Sequence, residues 1–134
     1  MTPRARTDLD PTASSAKAAR DFVRRVLDAW DCDDPDEIAL LLTSEVVSNA
    51  VLHAATRLAL DVDLDDDVLR ISVHDGSPRP ATMRDPEAGT PGGRGLLLVD
   101  SLARRWGSDV EQEGAGKVVW FELAASRRRR PASP

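Results

Sequence analysis

The 134-residue sequence predicts an α+β fold in which a layer of helices covers one face of a sheet. Three features of the apolar pattern lead to this expectation. Helical three-and-four spacing runs through Ala16 to Trp30 and again through Ile38 to Ala54. The period falls to two between Arg57 and Asp75. After a long segment rich in proline and glycine, helical spacing returns and is followed by a last alternating run. The order is helix, helix, strand, strand, lid, helix, strand, strand, within one domain over residues 12–125.

Residues 1–11 are polar, include Pro3 and Pro11, and read as an extended lead-in. The first helix follows from Ala16, Ala19, Phe22, Val23, Val26, Leu27 and Trp30, which share one face. The second has a legible start. Asp34 suits an N-cap, Pro35 the first helical position, and Glu37 the acidic place of a capping box. Ile38, Leu41, Leu42, Val46, Ala50 and Ala54 form its apolar stripe. Leu58, Leu60, Val62 and Leu64 alternate with polar residues as a strand. Asp65, Asp66 and Asp67 turn the chain into a second strand, Val68 to Asp75, so the two form a hairpin. The aspartates from Asp61 to Asp67 read as a solvated, aggregation-resistant edge, because strand alternation scatters them too widely for a metal site.

The segment 77–92 carries Pro78, Pro80, Pro86 and Pro91 without any apolar period, and reads as a lid-like loop. Leu96, Leu97, Val99, Leu102, Ala103 and Trp106 restore helical spacing. A short strand is expected near Val110, a turn at Gly114, Ala115 and Gly116, and a final strand from Lys117 to Leu123. Residues 126–134, with Arg127, Arg128, Arg129 and Arg130, read as a disordered basic tail.

Composition narrows the function classes. With 41% hydrophobic and 31% charged residues the chain has the balance of a globular protein. The net charge of −5 becomes −9 once the four tail arginines are set aside, and so acidic a body is a poor partner for nucleic acid. The single cysteine, Cys32, and two histidines, His53 and His74, provide no disulfide and no zinc cluster, which fits a cytoplasmic setting. No signal peptide or membrane span is expected from the apolar runs. The P-loop, Rossmann, nucleophile-elbow and zinc-protease patterns are all absent.

Three places resist a purely structural account. Glu45 and Asn49 lie four residues apart on the second helix, and so share a face, with His53 one turn on. They are either the solvent side of that helix or an acid and an amide projecting into a site, where a carboxylate can orient a hydroxyl and an amide oxygen can ligate Mg²⁺. Asp75 falls in register with Leu69, Ile71 and Val73. Either it opens an Asp-Gly turn with Gly76, or it points inward and needs a donor, for which a ligand amino group would serve. Gly92-Gly93-Arg94-Gly95 precedes a helix, where free amides and the dipole favour an anion; it also reads as a lid hinge.

In combination, Ser44-Glu45-Val46-Val47-Ser48-Asn49-Ala50-Val51-Leu52-His53-Ala54, Val73-His74-Asp75-Gly76-Ser77, Gly92-Gly93-Arg94-Gly95-Leu96 and Gly116-Lys117-Val118-Val119-Trp120 resemble the GHKL superfamily of ATP-binding domains. Within it the sequence is most similar to stand-alone bacterial anti-sigma-factor serine kinases, over roughly Ala18 to Leu123. The resemblance implies a Bergerat α/β sandwich with a mixed, mainly antiparallel sheet, and use of ATP with Mg²⁺. It implies that Glu45 positions or activates the attacking group, that Asn49 ligates Mg²⁺, and that Asp75 accepts from the adenine amino group beside Gly76. Gly93, Arg94, Gly95 and Leu96 would follow the phosphates under the lid. Implied partners are an anti-sigma-factor antagonist of the STAS type, a sigma factor, and a second copy of the chain. An ATP-responsive binding module without kinase turnover is the alternative. One departure stands out: Val118 occupies a position where many relatives have a threonine supporting the adenine contact, a loss of about 0.5–1.5 kcal/mol.

Overall fold

The computed structural model describes residues 3–34, 36–54, 56–77, 95–111 and 116–127. In chain order its elements are β1 (Arg4–Leu9), α1 (Ser15–Ala29), β2 (Cys32–Asp34), α2 (Asp36–Ala54), β3 (Leu58–Asp65), β4 (Val68–Asp75), α3 (Gly95–Leu102), β5 (Arg105–Val110), β6 (Lys117–Ala124) and β7 (Ser126–Arg127). The five-stranded sheet runs β1-β3-β4-β6-β5, and each neighbouring pair is antiparallel. The helices cover one face, so the expected α+β sandwich is present, with an antiparallel sheet where a mixed one was anticipated. Inward residues of β3, β4 and β6 (Leu60, Val62, Leu69, Ile71, Val73, Phe121) are at most 1% exposed and form the floor of the core.

The α1 face is the one the spacing predicts: Ala19, Val23, Val26 and Leu27 are buried, while Phe22 and Trp30 pack at the margin. Its first turn is tied down by the Ser15 hydroxyl, which donates to the Asp10 carbonyl. α2 packs against α1, α3 and β4, which accounts for the apolar residues of its buried arc, while Ile38, Leu41 and Leu52 stay exposed. By length and composition alone its Glu37–Ala54 stretch could cross a membrane, contrary to the expectation that no apolar run is long enough. Its neighbours make it the central helix of a packed layer instead. The predicted start at Pro35 lies outside the described residues; Asp34 closes β2 and the helix begins at Asp36.

Four sequence expectations are corrected. The lead-in is an edge strand, β1, paired with β3 from Arg4↔Asp63 to Leu9↔Leu58. Its inward residues, Ala5, Thr7 and Leu9, are too weakly apolar to announce a strand, and its alternation is carried by charge. Trp106 does not extend the third helix. α3 ends at Leu102, and Trp106 lies on β5 opposite Phe121, because the β5–β6 pairing takes over the chain there. The first two residues assigned to the tail, Ser126 and Arg127, form β7, which pairs with β2 at Cys32↔Arg127 and Asp34↔Ser126. Of the tail, residues 128–134 lie outside the described residues, as does the lid from 78 onward.

The fourth correction concerns the aspartates. β3 is an inner strand, so Asp61 and Asp63 do not form an edge. They project from the face opposite the helices, where Arg4, Asp63, Arg70, Glu122 and Arg105 stand side by side across all five strands in alternating sign. Arg4 Nε lies 2.6 Å from Asp63, Arg70 3.5 Å and Arg105 3.6 Å from Glu122, and Arg6 3.1 Å from Asp61. His74 bridges Asp61 at 2.8 Å and Glu111 at 3.2 Å. Such pairs on an open face contribute about 0–1 kcal/mol each, and their main effect is to pin the strand register with complementary charge.

Trp120 is the large apolar group on that face. Arg70 lies 4.0 Å from its ring centroid, and Nε1 donates to Asp109 at 3.3 Å. The indole rests on Gly107, where a Cβ would sit 2.6 Å from the ring. Gly107→Ala is therefore expected to lift the ring and cost about 1–3 kcal/mol through overpacking. Chemical denaturation followed by tryptophan fluorescence measures this, and an unchanged midpoint would contradict the packing.

Candidate functional site

The candidate site residues lie on α2 and at the end of β4, two elements that pack on each other, and on α3, which also packs against α2. On α2 the buried arc comprises Ala39, Leu42, Val46, Val47 and Ala50. Glu45 and Asn49 are half-buried at the border of that arc, and share their side of the helix with the exposed Ile38, Leu41 and Leu52. They are neither core nor fully solvated. An acid and an amide are thus presented together on a surface framed by apolar groups. His53, one turn on, is exposed. Arg20 on α1 donates to the Ser44 hydroxyl at 2.7 Å and ties the two helices together beside Glu45, a contact the sequence did not suggest.

Asp75 resolves both of its readings at once. It points inward, with its side chain 1% exposed, and its Oδ1 also accepts from the Ser77 amide at 2.8 Å, shaping the turn that leaves β4. The inward carboxylate has a partner that sequence reasoning missed. Lys117, the first residue of β6 and in register with Asp75, buries its ammonium against it, with a side chain 6% exposed. Lys117 Nζ lies 3.0 Å from Oδ2 and 3.2 Å from Oδ1, yet only Oδ1 receives an aligned hydrogen bond. Oδ2 is buried and accepts no hydrogen bond among the described residues. The short distance to Oδ2 therefore represents Coulomb attraction, and a lone pair there is open to a donor. The only available signal for Lys117 was its place after Gly116. Strand parity puts it on the inner face but cannot name a partner 42 residues away.

The backbone around this pair leaves no room for side chains. Gly116 has a φ of +142°, and a Cβ on it would fall 2.1 Å from the Asp75 carbonyl oxygen. Gly76, exposed beyond the carboxylate, donates its amide to Thr56 Oγ1 at 2.8 Å. The expectation for Val118 needs correcting. Val118 pairs with His74 on the face away from the helices, so a hydroxyl at this position would not face Asp75. The position of β6 that reaches the carboxylate is 117.

Gly93 and Arg94 lie outside the described residues. Gly95 is the first residue of α3, and Leu96 is 2% exposed. The Leu96 side chain is a core anchor for the helix, leaving only its backbone amide for an anion. No group of three or more His, Cys, Asp or Glu suited to a metal occurs among the described residues. A metal here would need most of its oxygens from a ligand, with Asn49 adding one, a donor set that suits Mg²⁺ on phosphates.

Residues 9–123 match the model of the histidine kinase-like ATPase domain. No curated protein is similar enough to match the chain. Among solved structures, the crystal structure of the RsbU and RsbW domains of Rv1364c from Mycobacterium tuberculosis is similar at a TM-score of 0.70 and 19% identity, over 98% of this chain. At that identity the likeness is one of fold. The chain spans 34% of the length of that structure's chain.

Proposed function

Because this chain belongs to the histidine kinase-like ATPase domain family, with residues 9–123 matched, we propose that it binds ATP and acts as a protein serine kinase and anti-sigma regulatory factor. The observation that carries the ATP reading is the buried Asp75 carboxylate with an open acceptor at Oδ2. A base amino group fills that need. Gly116 lets β6 approach the β4 end closely enough to bring Lys117 onto Asp75, since a Cβ there would fall 2.1 Å from the Asp75 carbonyl oxygen.

The remaining residues take roles that suit phosphoryl transfer, which needs positioning and charge stabilisation more than covalent chemistry. Glu45, half-buried beside apolar side chains, orients the attacking serine hydroxyl of a partner protein and accepts its proton. Asn49 would hold Mg²⁺ by its amide oxygen, where the ion would supply neutralisation of phosphate charge. Amides at the start of α3 suit the phosphates, a role that the resemblance also gives to Gly93 and Arg94. The protein substrate is a STAS-type anti-sigma-factor antagonist. A sigma factor is held when that antagonist is not bound, and the chain acts in the cytoplasm as a homodimer. The resemblance of the four motifs to anti-sigma-factor serine kinases supports this part.

Calorimetric titration of ATP with Mg²⁺ tests the reading. Wild type should bind, and Asn49→Ala should bind more weakly by about tenfold or more in Mg²⁺ while matching wild type in EDTA. Labelled ATP with candidate antagonists then tests transfer to serine. Absence of ATP binding would refute the site. Binding without transfer to any antagonist would make the chain an ATP-responsive binding module.

A further inference from the structure

We propose that Lys117 is a base-recognition residue: together with Asp75 it forms a two-point reader of the nucleobase edge, in which Oδ2 accepts from the amino group and Nζ donates to the adjacent ring nitrogen. This assignment rests on the ATP reading above and deepens it.

Lysine is almost never buried without a reason, and Lys117 is 5% exposed overall. Stability is a weak reason, because desolvating two charges offsets most of their attraction and an apolar pair would serve as well. The arrangement also leaves hydrogen-bonding capacity in both partners. One of the three ammonium N–H groups is aligned on Oδ1, and Oδ2 accepts none. An acceptor and a donor therefore stand 3.0 Å apart at the end of one strand pair. That spacing suits two parallel hydrogen bonds to an edge that presents a donor beside an acceptor. The adenine amino group next to N1, or next to N7, is such an edge. The four-carbon stem of Lys117 provides the movement needed, since rotation can carry Nζ off Oδ2 while it stays on Oδ1. No other β6 side chain substitutes, because Val118 belongs to the opposite face of the sheet.

The test is calorimetry on the full chain with ATP, 1-deaza-ATP and 7-deaza-ATP, each lacking one ring nitrogen, and on Lys117→Met with the same three. One of the two analogues is expected to bind wild type about tenfold more weakly than ATP. Lys117→Met is expected to bind ATP more weakly by a similar factor and to bind that analogue as well as it binds ATP. The wild-type comparison stands alone should Lys117→Met prove unfolded by circular dichroism. If ATP binds and both analogues match it, the assignment is overturned while the ATP reading survives. A penalty that persists undiminished in folded Lys117→Met also overturns it. Failure of ATP itself to bind wild type would overturn the ATP reading and this assignment with it.

Discussion

Asp75→Ala is expected to abolish measurable ATP binding and to lower unfolding stability by about 3–5 kcal/mol, because it strands the buried ammonium of Lys117 without a counter-charge. Domains of this kind have only about 5–15 kcal/mol in all, so the loss is a large fraction. The same change removes the acceptor of the Ser77 amide and loosens the turn at the end of β4. Asp75→Asn separates the two effects. It keeps the shape and one acceptor oxygen, so it should unfold less readily than the alanine variant, while carrying one carboxylate oxygen too few to serve Ser77, Lys117 and a base amino group together. Urea denaturation and ATP titration on both variants check this. An Asp75→Ala midpoint equal to wild type would mean that the pair contributes nothing in solution. Full ATP affinity in either variant would remove Asp75 from base recognition.

Glu45→Ala is expected to reduce phosphoryl transfer to the antagonist by about 10²–10⁴-fold, the range for loss of a positioned general base. Folding should be nearly untouched, within about 0.5 kcal/mol, since Glu45 is half-buried and alanine is the better helix former. ATP affinity should also be retained, because the nucleotide contacts are assigned to Asn49, Asp75 and the α3 amides. Single-turnover transfer of labelled phosphate, alongside ATP calorimetry, separates chemistry from binding. A Glu45→Ala protein that transfers at the wild-type rate would show that the acid lies outside the reaction.

Legibility from the sequence followed the strength of the local signal. α1, the β3–β4 hairpin and β6 bury one strongly apolar face each, and their periods reveal them. β1 buries Ala5, Thr7 and Leu9, and its charged alternation resembles a solvated segment until β3 is present to pair with it. Trp106 is spaced correctly for a helix and equally well for the strand that its register with Phe121 selects. Asp61 and Asp63 looked like an edge because their arginine partners lie some 55 and 59 residues upstream.

The sequence by itself determined the class of fold, the helix face shared by Glu45 and Asn49, and the strand register that Asp75 shares with Leu69, Ile71 and Val73. Each depends on spacing along one element, which periodicity expresses directly. Only the tertiary structure decided that β1 completes the sheet, that residue 117 rather than 118 meets Asp75, and that one carboxylate oxygen remains open beside a buried ammonium. Those facts depend on which strand lies next to which and in what register. That choice is made by packing and pairing between distant segments, and no local pattern in the chain contains it.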